Sequence, residues 1–61
     1  MKCIKAIHGD GFHVYVMQGA EGLFFTETFS LESCVFSEDF PTLEGALLAA
    51  YRVVSEYLGV K

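Results

Sequence analysis

The hydrophobic period of this chain changes once, at Thr42, and that change restricts the fold more than any other feature. Upstream, apolar residues lie in short extended-looking runs separated by Gly-containing turns. Downstream, Leu43, Leu47, Ala50, Val54, Tyr57 and Leu58 recur at three- and four-residue steps, the spacing of one helical face. A chain of 61 residues has room for one thin core. The expected architecture is therefore α+β: an antiparallel meander of three or four strands over about residues 2–37, followed by one helix over about residues 42–58 that covers one face of the sheet.

The sharpest local signal is Gly9-Asp10-Gly11 between the β-like runs 3–8 and 12–17. Asp-Gly suits a two-residue type I′ hairpin loop, in which both central residues take positive φ. That loop pairs Gly9 with Phe12, His8 with His13, Ile7 with Val14, Ala6 with Tyr15 and Ile4 with Met17. Alternation then sorts Ile7, Phe12, Val14, Val16 and Cys3 onto a core face. Ile4, Ala6, His8, His13, Tyr15 and Met17 fall on the other. Gly19-Ala20-Glu21-Gly22 forms the next turn, and the aromatic- and Thr-rich run 23–29 has strand composition. A further extended piece is expected around 33–37, after a kink near Ser30-Leu31-Glu32.

Thr42 is the expected helix N-cap, Glu44 sits where the helix dipole favours an acid, and Gly59 suits the residue just past the C-terminus. Gly45 weakens the helix by about 1 kcal/mol relative to Ala. Leu48 falls in the polar arc with Glu44, Arg52, Ser55 and Glu56, and is expected to be exposed.

A 52% hydrophobic, 20% charged composition excludes a disordered chain. No apolar run reaches the roughly 18 residues of a membrane span. The start Met1-Lys2-Cys3-Ile4-Lys5 lacks the pattern of a signal peptide, so the expected setting is cytoplasmic. Cys3 and Cys34 are expected as reduced thiols, since two cysteines make no disulfide framework and neither has a C-x-x-C neighbour. His8, His13 and Asp10 are acceptable zinc ligands by type, yet a third ligand from the turn would point away. Two surface imidazoles and no metal are the expectation. Ser30, Ser33, Ser37 and Ser55 have no nucleophile elbow around them, and there is no phosphate-binding glycine loop. Glu38-Asp39 reads as a pair of helix-dipole partners rather than an acid/base couple. The chain is expected to be no enzyme and to need no cofactor.

Charge is distributed unevenly. Lys2, Lys5, Arg52 and Lys61 are the only basic residues, and none lies between Ala6 and Tyr51. Asp10, Glu21, Glu27, Glu32, Glu38, Asp39 and Glu44 all do, so the net charge of −4 is concentrated in the middle of the chain. With a pI near 4.8, direct binding to nucleic acid is not expected. An acidic surface of this kind suits a protein partner with a basic groove, where it competes with DNA or RNA. Six Phe and three Tyr exceed what one helix can cover. Tyr15, Met17, Ile4 and Phe24 are expected on the uncovered sheet face, with Leu48 exposed on the helix. The candidate partner-binding residues are thus Tyr15, Met17, Glu21, Glu27, Glu32, Glu38, Asp39, Glu44 and Leu48, in a monomer or weak homodimer.

The stretch Thr42-Leu43-Glu44-Gly45-Ala46-Leu47-Leu48-Ala49-Ala50, placed after a meander, resembles the helix start of HicB-type antitoxins. In format, the whole chain looks like the small acidic inhibitors encoded by phages and mobile elements, anti-CRISPR proteins above all. Size, the acidic tract 21–44 and a compact sheet-plus-helix carry that likeness. It implies a stoichiometric inhibitor, acting in a host bacterial cell, that binds a CRISPR effector and blocks its engagement with target DNA or its recruitment partners.

Overall fold

The computed structural model describes residues 2–59, so Lys61 of the charge distribution lies outside the described residues. The elements are β1 (Lys2–Gly9), β2 (Phe12–Gln18), β3 (Phe24–Ser30), β4 (Cys34–Phe36) and α1 (Leu43–Leu58), with a short 3-10 turn at Ala20–Gly22. Each strand pairs antiparallel with its neighbour in the chain, in the order β1-β2-β3-β4. The helix packs across β2 and β3. The result is the expected α+β meander, and the fourth strand is present.

Asp10 and Gly11 form the hairpin loop, and the pairs Gly9–Phe12, His8–His13, Ile7–Val14 and Ala6–Tyr15 follow the expected register. The turn type differs from expectation. Only Gly11 has positive φ (+82°), and Asp10 does not. A positive φ confined to the second central residue belongs to a type II turn rather than type I′. Beyond Lys5, which pairs with Val16, the register shifts, so that Cys3 and not Ile4 opposes Met17. Ile4 is the extra residue of a β-bulge. Because one inserted residue reverses every side chain beyond it, Cys3 leaves the core face where alternation had put it and is exposed.

The core lies between α1 and the middle of the sheet. Phe12, Val14 and Val16 of β2 are buried against Ala46 and Ala50 of α1, with Thr26 and Thr28 of β3 buried beside them. Ile7, Phe24, Phe40, Leu43, Leu47, Val53 and Val54 complete its edge. Phe24 was expected on the uncovered face. It pairs instead with Gln18, in phase with Thr26 and Thr28, so its ring belongs to the helix side. Lys5 lies on this side too, but the helix does not extend over β1. Its ammonium group sits 5.7 Å from the centre of the Tyr51 ring at the helix margin.

Thr42 caps α1 as expected, its hydroxyl accepting the Gly45 N–H at 3.2 Å. Gly45 has a packing reason: a Cβ there would press on the Phe40 ring at 3.3 Å. Phe40 is held by a reciprocal pair of backbone bonds to Phe24, at 2.7 and 2.9 Å, which carries the chain along β3 before the helix starts. At the other end the helix runs past the core. Tyr57 stacks on Phe12 (centroids 4.8 Å apart) but is only half-covered, and Leu58 is 61% exposed, so neither belongs to the core as the periodicity suggested. No described helix is long and apolar enough to cross a membrane.

Candidate interaction surface

The face of the sheet opposite α1 has no second layer among the described residues, and the register determines what it displays. Side chains in phase with His13 on β2 are Tyr15 and Met17. Those on β3 are Phe25, Glu27 and Phe29, and β4 adds Cys34 and Phe36. Tyr15 and Met17 are where the sequence placed them. Phe25, Phe29 and Phe36 were not foreseen. The run Leu23-Phe24-Phe25 is apolar at both parities, so only the pairing of Met17 with Phe25 decides which ring faces outward. Phe36 is 60% exposed, while Tyr15, Met17, Phe25 and Phe29 are half-covered by one another.

Glu27 is the centre of this surface. It pairs with Tyr15 across β2 and with Phe36 across β4, while Phe25 and Phe29 stand two residues away on its own strand. Directly opposed side chains have Cβ atoms about 5 Å apart, and residues two apart on a strand are about 7 Å apart. The rings associate in two diagonal pairs. Tyr15 meets Phe29 edge to face at 5.6 Å between centroids, and Phe25 meets Phe36 in a tilted contact at 6.3 Å. Glu27, itself half-buried, belongs to the register position between the pairs.

At the hairpin end of the same face His8 and His13 oppose each other with Nδ1 atoms 2.8 Å apart. One ring must donate and the other accept, so at least one imidazole lacks a proton at Nδ1. The His13 ring lies 6.4 Å from Tyr15, which joins the imidazoles to the aromatic group. Among the described residues, no three His, Cys, Asp or Glu side chains gather as a metal site.

The acids of residues 21–44 do not form one patch. Asp10 and Glu32 come together at the end where the β1–β2 and β3–β4 loops meet, on either side of a shallow depression reached by Tyr57. Glu21 lies at the opposite end, in the β2–β3 turn, with positive φ (+63°). Glu38 borders an open cleft between the 37–40 segment and α1, which Leu48, Arg52 and Glu56 also line. Asp39 is exposed in the same segment, and Glu44 is exposed in the first turn of α1. Leu48 is 65% exposed, on the polar side of the helix as the wheel required. Ser37 anchors this cleft: its hydroxyl accepts the Thr26 N–H at 2.8 Å and donates to the Glu38 carbonyl at 2.9 Å.

Comparison with known families finds no match for this chain, and searches of curated proteins and of solved structures likewise return none.

Proposed function

We propose that the protein is a non-enzymatic binding protein that inhibits a protein partner carrying a basic, nucleic-acid-binding surface. The observation that carries this reading is the uncovered sheet face, where four aromatic rings and Met17 surround Glu27. Contiguous exposed aromatic area with polar groups at its margin is characteristic of an interface. Exposed acids elsewhere on the molecule, Glu32, Glu38 and Asp39 foremost, supply the charge that speeds encounter with a basic surface. In its narrower form the proposal is an anti-CRISPR inhibitor, encoded by a phage or mobile element and acting in the bacterial cytoplasm, which blocks nucleic-acid engagement by a CRISPR effector. Small size, the net charge of −4 and the sheet-plus-helix format support that form. The alternative, a HicB-like antitoxin or small regulatory partner, is favoured by the Thr42-capped helix opening.

Affinity capture from bacterial lysate with mass spectrometry separates these forms: CRISPR effector subunits in one case, a small toxin in the other. The mode of binding is then tested with Glu32, Glu38 and Asp39 all changed to Lys. The net charge moves from −4 to +2, because each reversal adds two units. Association should slow and affinity should fall, and added salt should weaken the unaltered protein, since exposed charges are screened over about 8–10 Å. Circular dichroism checks that the variant is folded. A folded variant that binds as tightly, together with salt-independent binding, would reduce the acids to a solvated surface. If Tyr15→Ala with Phe36→Ala also left binding intact, the sheet face would not be the contact.

A further inference from the structure

We infer that the open sheet face is a receptor for one arginine side chain of the protein partner, with Glu27 as its counter-ion. The inference rests on the proposed protein-binding role of this face and specifies the chemistry that the face accepts. Two observations converge on Glu27. The residue is half-buried, and the register sets it directly opposite Tyr15 and Phe36 with Phe25 and Phe29 two places away on its own strand. The described cations lie elsewhere: Lys2 and Lys5 pair with Gln18 and Val16 on the helix side of the sheet, and Arg52 lies on α1.

A carboxylate flanked by aromatic rings calls for a ligand that is cationic, flat and a donor of hydrogen bonds. Guanidinium meets all three requirements. It donates two parallel N–H bonds to a carboxylate, and its plane stacks on a ring within about 6 Å of the centroid. An ammonium group can satisfy the charge but not the stacking and the fork together. Burial beside the rings also reduces the solvent screening that makes exposed ion pairs weak. Arginine is among the residues that dominate interface energetics when so enclosed.

The test is a ¹H–¹⁵N NMR titration with three blocked tripeptides: acetyl-Gly-Arg-Gly-amide, its citrulline counterpart and its lysine counterpart. Citrulline keeps the shape of arginine and lacks the charge. The arginine peptide should shift resonances of Tyr15, Phe25, Glu27 and Phe36 at millimolar concentration. The citrulline peptide should leave them in place, and the lysine peptide should bind about fivefold more weakly. Glu27→Gln should weaken the arginine response by a similar factor while its spectrum stays dispersed, and Tyr15→Leu gives an independent variant of one ring. Equal shifts with citrulline, equal binding of lysine, or shifts centred on the Glu38–Arg52 cleft would each overturn the inference. So would the absence of any arginine response. Failure of this inference and of the broader reading are distinguishable once the partner is in hand. Binding lost with Tyr15→Ala but unchanged with Glu27→Gln keeps the interface and removes the arginine site, whereas binding unchanged with both removes the interface as well.

Discussion

Glu21 shows how a single residue can be at odds with the turn that holds it. It adopts φ +63°, a left-handed conformation that costs an L residue roughly 1–2 kcal/mol. Gly22 beside it takes φ +73° without that cost. Asn enters this region more readily than Glu because its short side chain bonds to the local backbone. Glu21→Asn should therefore stabilise the protein by about 0.5–1 kcal/mol, a rise of roughly 2–8 °C in melting temperature for a domain of this size. An unchanged or lower melting temperature would mean that the turn carries no such strain. Gly9 illustrates the opposite relation. It takes no positive φ, yet a Cβ there would force the Phe12 ring of the partner strand to shift.

Among the elements, α1 is the most informative, since its two faces make opposite demands on neighbouring leucines. Ala46 and Ala50 are fully buried and small, which lets the helix sit close to Val14 and Val16, and Leu47 packs at the edge of that contact. Leu48, one residue on, points away from the sheet. Leu47→Ala should cost about 2 kcal/mol, the lower end of the range for core leucines because its side chain is only partly covered. Leu48→Ala should change stability by less than about 0.5 kcal/mol. Chemical denaturation of the two variants makes the comparison, and equal losses would place the wrong face of α1 against the sheet. The strands behave differently. Their order and the first hairpin follow from the Asp10-Gly11 loop, but a bulge at Ile4 reverses the parity of Cys3. Local alternation cannot reveal such an insertion, because Cys3-Ile4 is apolar at both positions.

At the scale of the whole molecule, the meander separates the two thiols. Cys3 is on β1 and Cys34 on β4, the two edges of the sheet, and both are exposed and free. Three strand spacings put these edges about 14 Å apart, whereas a disulfide needs Cα atoms within about 7 Å. They also lie toward opposite ends of the sheet, Cys3 opposite Met17 and Cys34 opposite Phe29. Mild oxidation should therefore produce disulfide-linked dimers or leave both thiols titratable. An intact-mass spectrum showing a monomer two daltons lighter, with its thiols lost, would contradict this topology. The same long-range arrangement divides the acids. A tract contiguous from Glu21 to Glu44 in the chain is divided between opposite ends of the sheet, its open face and the helix cleft.

The sequence by itself determined the α+β class, the change of period at Thr42, the hairpin register from Gly9–Phe12 to Ala6–Tyr15 and the exposure of Leu48. Each depends on residues within a few positions of one another, through loop chemistry, capping or helical phase. Tertiary structure decided which phenylalanines face outward. Phe24 and Phe25 are adjacent, and only the pairing of β3 with β2 turns one toward the helix and the other toward the open face. It also decided that Glu27 stands alone among the rings while the other acids disperse. Neither follows from periodicity, because each is fixed by cross-strand pairs between residues as far as a dozen or more positions apart, such as Tyr15 with Glu27 and His13 with Phe29.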